Sequence, residues 1–537
     1  WIRTHTHNWN TGWVGFYGLC NPKSKPNPKE AGCTKENPHP TQNLRFSDKY
    51  GWVGSGWTGG SVCGCVCTPL PPCLDGAYIR IGPNPQYFPR GPYHLFDGDG
   101  MLHALTISRA RPPTLCSRYV RTHKYLTERA AGGPLIPNVF SAFNRFPAGA
   151  ARAALTAVRI ALRQFNPAKG IGLANTNLAF FAGRLFALWE ADLPYAIRLT
   201  ESGDVETIGR HDFDGKLGVS MTAHPKVDHR TGETFAFRYG RAPPFLTYFR
   251  FDADGGKKPD VPISSLSRPP FLHDFAITEK YALFVETQIG MDVWRSVFRG
   301  GSPLRSDPNK VSRIGVIPRY AADGSEMRWF HVAGFNPVHV LNAWDEEDGH
   351  RVGMLVPNVT SVDRALERFD LTHAQVEKVR VDLDTGMVYR VPVSTRNVEF
   401  GSVNPCYVGR KNRFVYAGIG DPTPKISGVV KLDVGDEMAG WTRRESAVAC
   451  RMFGPGCFGG EPFFVAKDPG SSEADEDDGY LVTYVHNEIN GESRFLVMDT
   501  QSPELEIVAA VRLPRRVPYG FHGLFVRESD LRRASGP

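Results

Sequence analysis

From about residue 173 to about residue 513 the chain is a succession of short segments rich in β-branched and aromatic residues, such as TFAFRYG (234–240) and GYLVTYVH (479–486). Asp- and Gly-rich turns such as DADGG (252–256) and DLDTG (382–386) join neighbouring segments and predict β-hairpins. A single open sheet with this many strands would leave exposed edges, so the spacing favours an all-β fold with radial repetition, a β-propeller. The unit length is irregular, and the pattern alone does not separate a propeller from a pair of β-sandwiches.

One segment breaks the β pattern. The sequence ARAALTAVRIALRQF (151–165) has apolar residues at helical spacing on one face and three arginines opposite them, which predicts an amphipathic helix. Such a helix can lie in a membrane interface with its apolar side down, or it can simply cover the β-structure. The first interpretation predicts an exposed membrane patch made of Leu155, Val158, Leu162 and Phe165. No run of about 18 apolar residues occurs, so no transmembrane helix is predicted.

Composition limits the possible partners and compartments. The net charge is +7, and residues 1–68 contribute +4 of it through seven Lys and Arg against three Asp and Glu. The remainder is only slightly basic, which argues against nucleic acid as a main partner. Ten cysteines are scattered unevenly, a pattern typical of reduced thiols rather than of a disulfide framework.

Residues 1–68 differ from the rest of the chain. They hold five of the ten tryptophans and many Gly, Pro and Asn residues, with almost no aliphatic periodicity. We expect an atypical segment of low order, interpreted as a fragment or as a gene-model artefact. The folded domain is then expected at 69–537.

Four histidines lie in distinctive contexts, TAHPK, FLHDF, FNPVHVLNAW and VPYGFHG, and are separated by 49, 66 and 183 residues. No two are within helical reach, so only the fold could bring them together. Imidazole suits iron, copper and zinc. The lack of cysteine nearby favours a redox-active or Lewis-acid metal over a closed structural zinc site, which usually contains thiolates. On a propeller axis, the inner strands of different blades would direct such residues into one channel. These candidate ligands are His224, His273, His339 and His522.

Several long blocks resemble the carotenoid cleavage dioxygenases, the carotenoid oxygenase family. The resemblance runs from about Leu70 to about Leu531, and stretches such as PRYAADGSEMRWF (318–330) bring the chain closest to the plant subgroup named carotenoid cleavage dioxygenase 4. The blocks that carry the resemblance are LDGAYIRIGPNPQYFPRGPYHLFDGDGMLH (74–103), GIGLANTNLAFFAGRLFALWEADLPYAI (170–197), HDFDGKL (211–217), GCFGGEPFFV (456–465) and LPRRVPYGFHGLFVRESDL (513–531).

The resemblance implies a seven-bladed β-propeller, capped by helices and loops, with a metal on its axis. It implies Fe(II) as the cofactor, held by the four histidines alone. It also implies three glutamates that accept hydrogen bonds from the outer nitrogens of the ligands, an arrangement that orients a metal-bound imidazole and raises its basicity. By motif these are Glu190 in LWEADLPY, Glu399 in NVEFGSVNP and Glu461 in GGEPFF.

The activity implied is oxidative cleavage, with O2, of a carotenoid or apocarotenoid double bond to two carbonyl products. The subgroup implies the 9,10 (or 9′,10′) bond. Two alternatives remain within the same architecture, a 9-cis-epoxycarotenoid dioxygenase that cuts the 11,12 bond in abscisic acid synthesis, and a polyene isomerase with the same four-histidine iron. A third alternative is a propeller that acts only as an interaction module, but the presence of all four ligand motifs argues against it.

The resemblance also suggests surroundings for the site. Phe96 and Phe521 are expected to line a substrate tunnel, and the protein is expected at a plastid membrane or plastoglobule surface, although no transit peptide is visible in this sequence. One residue departs from the family pattern. Ile81 replaces the usual asparagine of IRNGPNP, and a lost side-chain amide could cost about 1 kcal/mol if it capped buried backbone groups.

Overall fold

The computed structural model describes residues 62–63, 65–66, 69–89, 93–138, 140–141, 146–240, 242–300, 303–360, 362, 372–435, 446–471 and 473–535. These residues form seven antiparallel sheets that follow one another as the blades of a propeller. The predicted all-β, seven-bladed architecture is therefore confirmed. Five of the sheets are contiguous in sequence, a sixth gains one short strand at residues 65–66, and the seventh joins the two ends of the domain.

The first three blades have four strands each, in the order of the chain from the innermost strand outward. A two-stranded hairpin is inserted in blade 3. Blade 1 is β6 (Asn177–Phe181), β7 (Arg184–Leu188), β8 (Tyr195–Leu199) and β9 (Val205–Arg210); blade 2 is β10 (Lys226–Val227), β11 (Thr234–Tyr239), β12 (Leu246–Phe251) and β13 (Val261–Ile263); blade 3 is β14 (Phe275–Ile277), β15 (Tyr281–Glu286), β18 (Arg313–Pro318) and β19 (Arg328–His331), with β16 (Ile289–Met291) and β17 (Leu304–Ser306) as the inserted hairpin.

Blades 4 and 5 repeat this order, and in blade 6 two short strands, β28 and β29, both pair with β30. Blade 4 is β20 (Asn342–Asp345), β21 (Arg351–Val359), β22 (Ala374–Asp382) and β23 (Val388–Pro392); blade 5 is β24 (Val398–Ser402), β25 (Phe414–Ile419), β26 (Gly428–Asp433) and β27 (Ala447–Met452); blade 6 is β28 (Cys457–Gly459), β29 (Phe463–Ala466), β30 (Gly479–Asn487), β31 (Ser493–Asp499) and β32 (Ile507–Arg512).

Blade 7 closes the ring. Its innermost strand is β33 (Gly523–Arg527), which pairs antiparallel with β3 (Gly76–Pro83) so that Arg527 faces Gly76 and Gly523 faces Arg80. The blade continues outward with β4 (Gly100–Ile107) and β5 (Thr114–Tyr119). A strand from the end of the domain and three from its start thus share one sheet.

The core lies between the blades. Seven buried apolar clusters each combine side chains from two neighbouring blades, including the closing pair of blades 7 and 1. Central strands must therefore be apolar on both faces, as in β25, where all six residues are buried. Each fully buried Val, Leu, Ile or Phe side chain contributes about 1.5–3 kcal/mol. This packing explains why the strands have continuous apolar runs rather than strict alternation.

Two very short strands extend the outer edges of adjacent blades. Strand β1 (Val62–Cys63) pairs with β5 of blade 7, and β2 (Cys65–Val66) pairs with β32 of blade 6. The chain before residue 69 therefore reaches the propeller at these two points. Residues 1–61, 64, 67 and 68 of the segment set apart by composition lie outside the described residues, and its separation from 69–537 stays a prediction.

Four helices and three 3-10 turns lie outside the blades in the described residues. Helix α1 begins after Thr122, whose hydroxyl oxygen accepts a hydrogen bond from the Tyr125 N–H, and ends at Gly132 in the left-handed conformation (φ 71°). None of the described helices is long and apolar enough to span a membrane. The helices are α1 (His123–Ala131), α2 (Ala148–Ala161), α3 (Val293–Arg299) and α4 (Glu528–Ser535), and the turns are Pro167–Lys169, Gly324–Glu326 and Pro405–Tyr407.

Helix α2 corresponds to the amphipathic segment predicted at 151–165, but the helix ends at Ala161. Leu155, Val158 and Leu162 are 49%, 53% and 64% exposed. Phe165 is not part of that exposed surface, contrary to the prediction. The chain turns at Arg163, which has a left-handed backbone (φ 58°), and the buried Phe165 ring stacks on His123. The apolar periodicity of the sequence continues beyond the last turn of the helix, and for that reason Phe165 was wrongly assigned to the exposed face.

The Ile81 substitution lies at the closing seam. Its side chain is fully buried in the cluster between blades 7 and 1. Its backbone N–H donates to the His522 carbonyl (3.1 Å), and its carbonyl accepts from the Phe521 N–H (2.9 Å). Ile81 therefore contacts the candidate ligand His522 through its backbone alone. These bonds do not depend on the identity of the side chain.

We expect Ile81→Asn to lower the free energy of unfolding by at least about 2 kcal/mol, because an amide would replace a methyl-rich side chain in an apolar cluster. Chemical denaturation monitored by tryptophan fluorescence measures this, with Ile81→Val as the control, for which about 0.5–1.5 kcal/mol is expected. An asparagine variant as stable as the parent would show that the amide finds a buried partner.

Candidate metal centre

Each of the four candidate ligands immediately precedes the innermost strand of a blade. Because the innermost strands surround the propeller axis, residues at their amino-terminal ends meet at one end of the central channel. His224 lies two residues before β10, His273 two before β14, His339 three before β20 and His522 one before β33. Blades 2, 3, 4 and 7 thus supply one histidine each.

The four imidazoles converge. Their ring centroids are 4.5 Å apart for His224 and His273, 5.1 Å for His273 and His339, 5.0 Å for His339 and His522, and 4.8 Å for His224 and His522. One nitrogen from each ring lies within 4.8 Å of those of the other three. Residues up to 298 positions apart in sequence (His224 and His522) are therefore in contact distance.

The nitrogens that face the centre are placed to bind a metal ion rather than to hydrogen-bond with one another. The Nε2 atoms of His224 and His273 are 3.0 Å apart. Two imidazole nitrogens bound at right angles to one ion, each at about 2.1 Å, would also be about 3 Å apart. The buried Nε2 of His339 has no hydrogen-bond partner. A buried polar atom without a partner is unfavourable, so the donor set is arranged for an ion, and imidazoles suit iron, copper and zinc.

Three glutamates occupy the outer nitrogens. The Nδ1 of His273 contacts Glu190 Oε1, the Nδ1 of His339 lies 2.7 Å from Glu399 Oε2, and the Nδ1 of His522 lies 2.9 Å from Glu461 Oε1. An Nδ1–H bonded to a carboxylate leaves Nε2 unprotonated and directed at the centre. The glutamates come from blades 1, 5 and 6, which provide no histidine.

Two of these carboxylates are themselves held by backbone N–H groups. Glu461 Oε2 accepts from the Gly523 N–H (2.9 Å), next to its own histidine, and Glu399 Oε2 accepts from the Phe400 N–H (2.6 Å). Phe400 has a left-handed backbone (φ 53°), and the register of β24 shifts at this point. The local distortion of β24 thus turns the Phe400 N–H towards the carboxylate that precedes it.

The fourth histidine has a different partner. The Nδ1 of His224 lies 3.3 Å from the side-chain amide nitrogen of Asn177, which also donates to the Ala223 carbonyl (2.9 Å). The Asn177 carbonyl oxygen in turn accepts from the Leu178 N–H (2.7 Å). An amide nitrogen, which is a donor, therefore lies behind His224, where the other three ligands each have a carboxylate acceptor.

Comparison with known proteins identifies the family. The family model described as "Retinal pigment epithelial membrane protein" matches residues 65–527. The chain belongs to this family, the carotenoid oxygenases. It is 64% identical to "Probable carotenoid cleavage dioxygenase 4, chloroplastic" of Arabidopsis thaliana over 88% of this chain and 79% of that protein. It is 58% identical to a chloroplastic 9-cis-epoxycarotenoid dioxygenase of Oryza sativa, over 87% of this chain and 74% of that one.

Solved structures of carotenoid oxygenases and related enzymes have the same fold. A lignostilbene dioxygenase of Pseudomonas brassicacearum matches with a TM-score of 0.73 at 25% identity, over 87% of this chain and 96% of that one. A cobalt-substituted apocarotenoid oxygenase of Synechocystis matches with a TM-score of 0.70 at 25% identity, over 89% of this chain and 98% of that one. This carotenoid oxygenase is thus an oxidoreductase by family.

The electrostatic environment of this carotenoid oxygenase keeps His224 neutral. Burial lowers the pKa of His224 well below its usual range, and the neighbouring histidines lower it further. Burial acts in the same direction on His339, but the Glu399 carboxylate outweighs it and raises the pKa of His339. Burial would raise the pKa of Glu399, yet the charge of His339 lowers it. These opposite shifts favour the proton on His339 over the proton on Glu399, in keeping with Nδ1 as the hydrogen-bond donor.

Half-buried aromatic rings lie beside two faces of the histidine cluster and near its neighbour Phe521. Phe96 and Phe521, the expected tunnel residues, are in edge contact with a centroid distance of 5.8 Å, and Phe96 also contacts Phe140 (5.4 Å). The Phe400 ring lies 5.6 Å from His339 and 5.5 Å from His522, and Phe271 stacks on His273 at 6.1 Å. An apolar, partly accessible surface therefore adjoins the metal centre.

Sequence reasoning did not single out Asn177, Phe271 or Phe400. The signals were present in part, because Phe400 adjoins Glu399 and Phe271 lies two residues before His273. Asn177 lies in the NTN of the block 170–197, which the resemblance already marked. Nothing in that tripeptide indicates which asparagine reaches a histidine 47 residues away.

Replacement of Glu461 by Gln should weaken metal binding by about 10–100-fold, because an amide can accept only through its one oxygen and presents N–H groups on the other side. Titration of the metal-free variant with Fe(II) under anaerobic conditions measures this. Glu504→Gln is the matched control, because the Glu504 side chain is 82% exposed. Equal affinities for the two variants would show that the carboxylate does not support His522.

Proposed function

We propose that this protein is a non-haem Fe(II) dioxygenase that cleaves one double bond of a carotenoid or apocarotenoid. One observation carries the proposal, the convergence of four imidazoles, three of which have their outer nitrogens bonded to Glu190, Glu399 and Glu461. His224, His273, His339 and His522 would hold the ion. Four nitrogens leave two positions of an octahedral ion for other ligands.

Bound Fe(II) would supply the activation of O2, and the two oxygen atoms would end in the two carbonyl products. The contribution of the chain is to bind, to orient and to exclude water. The glutamates would keep the Nδ1 of His273, His339 and His522 protonated and their Nε2 directed inward. The carbon–carbon bond breaks without a proton leaving the substrate, so no general base is needed at the reacting atoms.

The aromatic surface beside the centre suits an extended polyene. We propose that Phe96 and Phe521 line the substrate path, together with Phe400 and Phe271, whose rings lie against the histidines. Aromatic side chains offer large apolar area with little conformational freedom to lose. The position at which the polyene stops along this surface would decide which double bond faces the metal.

We propose cleavage at the 9,10 (or 9′,10′) position. The resemblance to the carotenoid cleavage dioxygenase 4 subgroup supports this, as does 38% identity to a pea enzyme named carotenoid 9,10(9′,10′)-cleavage dioxygenase, over 86% of each chain. The second candidate is the 11,12 cleavage of a 9-cis-epoxycarotenoid, which the 58% identity to the rice enzyme favours.

Chromatography of the products separates these activities. Purified, Fe(II)-loaded protein incubated with β-carotene, with apo-8′-carotenal and with a 9-cis-epoxycarotenoid should give a C13 ketone such as β-ionone and an apocarotenal. A C15 aldehyde from the epoxycarotenoid alone would support the second candidate. A changed double-bond geometry without oxygen uptake would indicate an isomerase, and unaltered substrates with fully loaded metal would contradict all three.

We further propose that the protein works at a plastid lipid surface, such as a membrane or plastoglobule. The Arabidopsis and rice relatives are named chloroplastic. Carotenoids dissolve in lipid, and the exposed apolar side chains of α2 are available to enter it. Arg159 donates to the Leu135 carbonyl, which ties this helix to the segment that follows α1.

Replacing Leu155, Val158 and Leu162 together by serine should reduce liposome binding by about 10-fold or more, because each side chain would lose apolar burial in lipid. Vesicle flotation measures binding, and turnover should fall for vesicle-held but not for detergent-solubilised carotenoid. The control is serine at Ile208, Val448 and Ile489, which are 59%, 50% and 73% exposed on the blades. Equal loss in both triple variants would place the lipid contact elsewhere.

A further inference from the structure

A buried carboxylate next to the metal centre connects three of its four ligand segments. Asp274 follows His273 and is 5% exposed. Its Oδ1 accepts from the Phe275 N–H (2.7 Å) and pairs with Lys226 Nζ (2.7 Å). Its Oδ2 accepts from the Val340 N–H (2.8 Å). The side chain thus has partners on three separate stretches of chain.

Each of these stretches carries a histidine. Lys226 lies two residues after His224, and Val340 follows His339 directly. The three histidines precede the innermost strands of blades 2, 3 and 4. The ladder hydrogen bonds of a blade stay within that blade, so they do not fix one of these loops relative to the next. The Asp274 carboxylate makes that connection directly, with a charge-assisted bond to one loop and a backbone bond to the other.

We propose that Asp274 is a positioning residue that sets the mutual arrangement of His224, His273 and His339, with Lys226 as its counter-ion. The proposal rests on the four-histidine metal centre, and it is independent of the carotenoid or the bond that is cleaved. A metal ion binds tightly only when its ligands are already close to their bound geometry, because the binding free energy is otherwise spent on ordering them. Asp274 is therefore expected to raise metal affinity without touching the metal.

The alternative is that Asp274 merely stabilises the propeller. Asp228 provides a matched control, since it is 2% exposed, accepts backbone N–H bonds from Arg230 (2.9 Å) and Thr231 (3.4 Å), and pairs with Arg319 (2.5 Å). Asp228 follows β10, at the end of that strand opposite His224, and its partners lie on its own hairpin and after β18. Both aspartates therefore have the same kinds of partner, but only Asp274 joins segments that carry ligands.

The experiment compares Asp274→Ala with Asp228→Ala in the full chain. The metal-free proteins are titrated with Co(II) and with Fe(II), the visible absorption of bound Co(II) reports the coordination, and the melting temperature is recorded with and without metal. Asp274→Ala should bind both metals about 10–100-fold more weakly, with an altered Co(II) spectrum and a smaller metal-induced rise in melting temperature. Asp228→Ala should lower the melting temperature of the metal-free protein while metal affinity and spectrum stay as in the parent.

Two milder variants keep the test decisive if Asp274→Ala does not fold. Asp274→Asn retains one acceptor oxygen, and Lys226→Met retains both backbone hydrogen bonds of Asp274 and releases only the His224 segment. Both should weaken metal binding measurably, the asparagine variant more. Parental affinity in all Asp274 and Lys226 variants, or an equal loss in Asp228→Ala, would overturn the proposal. Product analysis of the parent protein tests the cleavage activity separately.

Discussion

The antiparallel pairing of β33 with β3 is the interaction on which the rest of the structure depends. It closes the ring of blades, and the residue before β33 is His522, so the same pairing completes the metal centre. The Ile81 backbone bonds to Phe521 and His522 extend the pairing by one step beyond the strand. Ring closure also adds Val526 and Leu524 of β33 to the apolar cluster between blades 7 and 1.

The negative charges of the metal centre lie behind its ligands and not on them. Neutral imidazoles face the ion, and the carboxylates lie one ring further out, at Glu190, Glu399 and Glu461. A divalent ion in a buried site needs compensating negative charge because water is largely excluded. Carboxylates placed behind the rings supply it without occupying positions on the ion, so positions remain available for other ligands. Asn177 behind His224 adds no charge, and the four ligands are therefore not equivalent.

Much of this arrangement is present in the sequence, and the reasons for the exceptions are physical. The β content, the hairpin turns and the four histidine contexts follow from local pattern, whereas seven blades followed only from the family resemblance because the repeat length is irregular. Phe165 was placed wrongly because helical periodicity does not show where a helix ends, and Arg163 reverses the chain before it. Asn177 and Asp274 were missed because their importance lies in contacts with distant segments, which no local pattern encodes.

The composition of blade 7 has a consequence for how the protein is made. Its inner strand is synthesised after the other six blades, and its remaining strands before them. During translation the early strands β3 to β5 therefore lack their inner neighbour until Gly523–Arg527 leaves the ribosome. The four-histidine site is therefore incomplete until His522 has been added, and the first three ligands are synthesised at least 183 residues before the fourth. A chain that stopped before His522 would carry at most three of the four ligands, and the Glu461 carboxylate would lack its imidazole partner.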